Sequence, residues 1–93
     1  MPYELSFHPA ALKEWQDLDS SIRSQFKKKL AERLDCPRVP SAQLHGHPDR
    51  YKIKLRSVGY RLVYQVLDQQ VLVLVLAIGK RERSAVYLKA RER

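Results

Sequence analysis

Residues 51–66 read YKIKLRSVGYRLVYQV, and their alternation decides the fold. In an extended chain Tyr51, Ile53 and Leu55 fall on one side, and Lys52, Lys54 and Arg56 on the other. Past Gly59 the apolar residues resume, so strands over 50–56 and 59–67 form a hairpin with one buried face. The charges along it, Lys52, Lys54, Arg56 and Arg61, are all positive. Neighbours on a sheet face normally mix signs, because like charges repel across a strand pair.

Whether Arg61 shares the lysine face depends on the turn. An even loop of two or four residues puts Lys54 directly across from Arg61. A three-residue loop with Gly59 in the left-handed position puts Leu62 there and turns Arg61 to the other face. The sequence leaves both open, and a cationic cluster requires the even loop.

Outward from the hairpin, Asp68-Gln69-Gln70 marks a turn into VLVLVLAI, residues 71–78. That run is apolar on both faces, which places it in the middle of the sheet, and Gly79 is expected to stop it. Upstream, Tyr3, Leu5 and Phe7 alternate as a first strand, and Pro9 suits the opening of a helix carrying Leu12, Trp15 and Leu18. After a break at Asp19-Ser20, with Ser20 as expected N-cap, Ile22, Phe26, Leu30 and Leu34 recur at helical spacing until Pro37 and Pro40. Downstream of Lys80, Ala85, Val86 and Leu88 suit a short helix. The order β-α-α-β-β-β-α predicts an α+β fold: a small, mostly antiparallel sheet with helices packed on it.

Ninety-three residues suit one domain, 1–93. Lysine and arginine outnumber the acids 18 to 10, a net charge of +8. That balance favours a polyanionic partner, nucleic acid or an acidic protein, over a plain solubility surplus. Cys36 is alone, which excludes an intrachain disulfide, fits a reducing cytoplasm and suggests an inert, buried or semi-exposed thiol. MPYELSF has no basic region leading an apolar core, so no signal peptide is expected, and the eight-residue apolar run is too short to span a bilayer, so no membrane is expected.

A second basic group, GKRERSAVYLKARER, begins where the central strand ends. There Lys80, Arg81 and Arg83 leave the sheet at its rim, followed by Tyr87. Joined to Lys52, Lys54 and Arg61 they would form a concave cationic surface with an aromatic at its edge. Cations hold phosphates and aromatic rings stack unpaired bases, so single-stranded RNA fits better than duplex DNA. The plainer alternatives are a solvated lysine face and a Tyr87 ring packed on the sheet. Arg50 and Arg56 read as solvated. His45 and His47 sit in a loop, either lining the cleft or simply at the surface. No Ser-His-Asp or Cys-His arrangement and no metal-ligand spacing is apparent, so no cofactor is expected.

The stretches ALKEW, FKKKL, YKIKLRSVGYRLVYQV and GKRERSAVY, in this order over about residues 3–90, resemble the RelE family of bacterial toxins from type II toxin–antitoxin pairs. The resemblance implies a microbial-ribonuclease-like fold. It also implies an endoribonuclease that cuts mRNA in the A site of the 70S ribosome, beside 16S rRNA, and a cognate RelB-like antitoxin that neutralises it. The family's catalytic set falls here on Lys52, Lys54, Arg61, Arg81 and Tyr87, with His45, Lys80 and Arg83 as substrate-binding candidates. Such toxins direct the ribose 2′-OH at the adjacent phosphate without metal, leaving a 2′,3′-cyclic phosphate.

Lys54 is then the expected general base, with Lys52 the second choice, since crowding by cations favours the neutral amine. Arg61 and Lys52 would stabilise the phosphate, Arg81 the leaving 5′ oxygen, and Tyr87 would orient the nucleotide or act as base. Relatives often carry Arg where this chain has His45, so a hydrogen-bonding group is kept and a permanent charge lost. The competing expectations are a non-catalytic gyrase poison of the same fold, as in ParE-type toxins, and a basic RNA-binding module. An acidic antitoxin would wrap the basic surface and displace the segment carrying Tyr87.

Overall fold

The computed structural model describes residues 2–80 and 85–93. Strand β1, Glu4–Phe7, leads into helix α1, Pro9–Gln16, and helix α2, Ser20–Asp35. Then follow β2, Arg50–Leu55, β3, Tyr60–Leu67, β4, Leu72–Lys80, and helix α3, Ala85–Glu92. The strands form one sheet in the order β1-β4-β3-β2. Only the β1–β4 pair is parallel, so the α+β fold read from the sequence holds, with the apolar run central as expected.

Local chemistry starts and stops the two N-terminal helices. His8 caps α1, its Nδ1 accepting from the Ala10 N–H at 3.2 Å, and Pro9 takes the first turn, where an amide hydrogen is dispensable. Arg23 donates to the carbonyls of Gln16 (3.1 Å) and Leu18 (2.7 Å), placing a cation at the negative end of α1. The N-cap of α2 is Asp19 and not Ser20: residue 19 is extended, and Ser20 already begins the helix. Residues Ile22, Phe26 and Leu30 of α2 are buried against one sheet face with Tyr51, Ile53, Leu55, Leu62, Tyr64, Val73 and Val75. Trp15 fills the space between Phe7 and Phe26, with ring centroids at 5.2 and 6.5 Å.

The opposite face is covered by α3. A register shift between Val63 and Tyr64 inserts one extra residue in β4, so that Val63 pairs with Ala77 and Tyr64 with Val75. Val63, Leu76 and Ala77 form a second buried cluster with Val86 and Ala90 of α3. Gly79 does not stop β4, which continues to Lys80. Its missing side chain serves α3 instead: a Cβ there would lie 3.0 Å from the Val86 Cγ2 methyl. Cys36 is exposed, contrary to the sequence reading, because it lies just beyond α2, past its buried stripe.

Candidate active site

The hairpin turn settles the register. Leu55 pairs with Tyr60 across a four-residue connection, with Gly59 at φ +69° and its N–H donating to the Leu55 carbonyl at 2.9 Å. A left-handed backbone suits glycine, and the even count puts Lys54 directly opposite Arg61, with Lys52 opposite Val63. All three side chains therefore share the face that carries α3.

Helix α3 covers the β3–β4 half of that face and leaves the β2 half open. Between them lies a groove of about 730 Å³. Lys52, Lys54, Arg61, Lys80, Tyr87 and His45 all line it. Arg81 and Arg83 lie outside the described residues. The residues that bracket them, Lys80 and Ala85, both line the groove. His47, the other loop histidine read as a possible lining residue, lines it too, and so do Arg50 and Arg91, which the sequence did not single out as part of a site. Among the described residues no Asp or Glu contributes to its walls.

Arg50 is half-buried, not solvated, and donates to the Ala90 carbonyl at 2.9 Å, clasping the last turn of α3. Its position on the lysine face was legible, but its reach to a helix forty residues away was not. Arg91 follows Tyr87 at i+4, so both project from one stripe of α3. Burial pushes the Tyr87 phenol above its ordinary value, with the Arg61 cation pulling the other way. At neutral pH Tyr87 is therefore an un-ionised phenol that can donate a hydrogen bond, and it is a poor proton acceptor.

The far side of α3 is held by Glu14 of α1. Its carboxylate accepts from Lys89 Nζ at 3.0 Å, from Arg93 at 2.8 and 3.3 Å, and from the Ile78 N–H at 3.1 Å. Arg93 also donates to the Leu76 carbonyl at 2.8 Å. Strand β1 pairs with β4 only as far as Val75, so these two side chains satisfy the edge of β4 where no strand does. Burial alone would raise the Glu14 carboxyl. The hydrogen bonds from Arg93, Lys89 and the Ile78 amide outweigh it and hold the group below its ordinary value. Among the described residues no group of three or more His, Cys, Asp or Glu is placed to hold a metal ion.

Residues 5–85 match the sequence model of a family described as the ParE toxin of type II toxin–antitoxin systems. The mRNA interferase toxin RelE of Escherichia coli strain K12 is 58% identical over 93 residues, covering 100% of this chain and 98% of that one. The free R81A/R83A mutant of E. coli toxin RelE superposes with a TM-score of 0.92 at 56% identity, covering 100% of this chain and 98% of that one. The toxin of the intact E. coli RelBE toxin–antitoxin complex superposes with a TM-score of 0.83 at 58% identity, covering 87% of this chain and 99% of that one.

Proposed function

We propose, from the premise that this chain belongs to the RelE/ParE family of type II toxins, that it is an mRNA endoribonuclease acting in the ribosomal A site. One juxtaposition carries the reading: Lys54 across from Arg61, with Lys52 on the same face and Tyr87 lining the same groove. A cationic groove walled by no described carboxylate suits a reaction in which negative charge builds on a phosphate. The name of the 58%-identical relative, an mRNA interferase, supports the substrate class.

In the proposed reaction the ribose 2′ oxygen attacks the adjacent phosphorus and the bond from phosphorus to the 5′ oxygen breaks. The 2′-OH proton passes to a lysine Nζ acting as general base, Lys54 before Lys52. Arg61 and Lys52 bear on the non-bridging oxygens, and Arg81 stabilises the departing 5′ alkoxide, which is protonated by solvent. The products carry a 2′,3′-cyclic phosphate and a 5′-hydroxyl. Tyr87, un-ionised, stacks on or orients the nucleotide. His45, Lys80 and Arg83 complete the substrate contacts, and the ribosome supplies the positioning that a site without a matched acid and base lacks. The E. coli RelBE complex supports a RelB-like antitoxin as partner.

The test is cleavage of a defined mRNA by the purified chain with and without ribosomes. Arg81→Ala and Tyr87→Ala should each slow cleavage by about 10²-fold, the scale of losing an oriented electrostatic or positioning group. Variants as fast as the parent would place the site elsewhere. The ParE name of the matching family keeps a gyrase assay in the same experiment. Gyrase inhibition without mRNA cleavage would establish that second activity, and binding without cyclic phosphate ends would leave only an RNA-binding module.

A further inference from the structure

Lys52 and Lys54 stand between the groove and a second, smaller cleft on the open side of β2. The second cleft, about 260 Å³, is lined also by Arg33 of α2, Ser41 and Arg56. Arg33 is held rigidly there. Its NH1 donates to the Lys52 carbonyl at 3.1 Å and to the Tyr64 hydroxyl at 2.9 Å, and its guanidinium lies 5.8 Å from the Tyr64 ring centre. Tyr64 is itself fully buried, its hydroxyl donating to the Pro37 carbonyl at 2.7 Å.

The acceptors that hold the arginine among the described residues are neutral. Among the described residues no carboxylate forms an ion pair with it, although it is half-buried. A partly desolvated guanidinium with donors to spare and no ion pair to a described carboxylate is suited to a phosphate, which it grips through a planar fork. Arg56 adds a second, exposed cation at the rim, and the exposed Ser41 a hydroxyl donor.

We propose that this cleft is a second phosphate subsite, taking a nucleic-acid phosphate beside the one seated in the groove, so that the RNA strand crosses β2. The inference rests on the endoribonuclease reading for the first phosphate. The second phosphate belongs either to the mRNA flanking the cut or to ribosomal RNA, and the chemistry of recognition is the same.

The test measures binding of 2′-O-methyl RNA oligonucleotides of increasing length, which lack the attacking hydroxyl, and of ribosomes without mRNA. Arg56→Ala and Ser41→Ala are compared with the parent and with Lys28→Ala, which removes an equal charge from the exposed side of α2. Arg33→Lys keeps the charge and loses the fork.

Arg56→Ala should weaken the longer oligonucleotides about three- to tenfold and lower the salt slope by about 0.7, the value for one single-strand phosphate, while the shortest bind unchanged. Arg33→Lys should weaken the same longer oligonucleotides with the salt slope unchanged, because the charge stays and only the fork is lost, provided its unfolding midpoint matches the parent's. That pattern identifies a flanking mRNA phosphate, and weakening confined to ribosomes identifies ribosomal RNA. If Arg56→Ala and Lys28→Ala behave alike on both probes, only net charge is at work and the subsite is overturned. A parent that binds neither probe overturns the subsite and the endoribonuclease reading together. A parent that binds with this pattern but never cuts overturns only the latter.

Discussion

Replacing Glu14, which lies outside the groove, should disable the molecule through α3. The carboxylate and Arg93 are each mostly buried, with side chains 19% and 16% exposed, whereas Lys89 is 45% exposed and contributes little. Glu14→Ala removes two charge-assisted bonds from Arg93 and leaves the Ile78 amide without its acceptor. Taken as one bidentate contact, the Arg93 pair contributes about 1.5–3 kcal/mol and a stranded amide costs about 1–3 kcal/mol, so with partial relaxation the total lies at the low end of their sum, about 2.5–3.5 kcal/mol. For a domain of this size that lowers Tm by roughly 10–20 °C. Glu14→Gln keeps an acceptor for Ile78 and should cost about 1–1.5 kcal/mol.

The assays are urea and thermal unfolding, and mRNA cleavage with and without ribosomes, on the same preparations. Cleavage should fall in both variants at temperatures where the chain is folded, because α3 carries Tyr87 and Arg91 into the groove. The pH dependence has a definite sign. The folded carboxyl sits below its ordinary value, so its contribution is complete above the unfolded value, near pH 4.3, and disappears as pH falls through the depressed folded value. Glu14→Gln should therefore flatten the acid limb of the stability curve. A Glu14→Ala protein that melts within about 3 °C of the parent, or that cuts at the parent rate, would refute the latch.

Tyr87→Phe should keep most of the activity that Tyr87→Ala loses, within about threefold of the parent in the cleavage assay, because an un-ionised phenol serves mainly by its ring. Gly79→Ala should cost about 1–3 kcal/mol by overpacking against Val86, read by urea unfolding, and should slow cleavage further by lifting α3. Val71 holds φ at +51°, an uncomfortable conformation for a β-branched side chain at an exposed turn. Val71→Asn should raise stability by about 0.5–1 kcal/mol, a gain of a few degrees in Tm by calorimetry.

Much of the fold was legible because it is written in local periodicity. Alternation marked β2 and β3, an apolar run on both faces placed β4 in the centre, and i, i+4 spacing gave the buried stripe of α2. The same alternation put Lys52 and Lys54 on one face, and the resemblance named Arg61 and Tyr87 beside them. Besides the exposure of Cys36 and the half-burial of Arg50, two local signals misled. Ser20 looked like a cap where Asp19 holds the position, and Gly79 looked like a stop where it is a gap for Val86. Both residue types have more than one use, and only the surroundings choose between them.

By itself, then, the sequence determined which residues alternate, which are charged, and in what order the elements follow. The tertiary structure decided what those residues face. One residue more or fewer in the Arg56–Gly59 turn would have sent Arg61 into the core, because strand side chains alternate with a period of two. The seating of α3, and with it the groove, depends on Glu14 meeting Ile78, Lys89 and Arg93, and on Arg50 meeting Ala90. Contacts between residues forty to eighty positions apart leave no period in the chain. They exist only once the sheet has formed and brought the partners together.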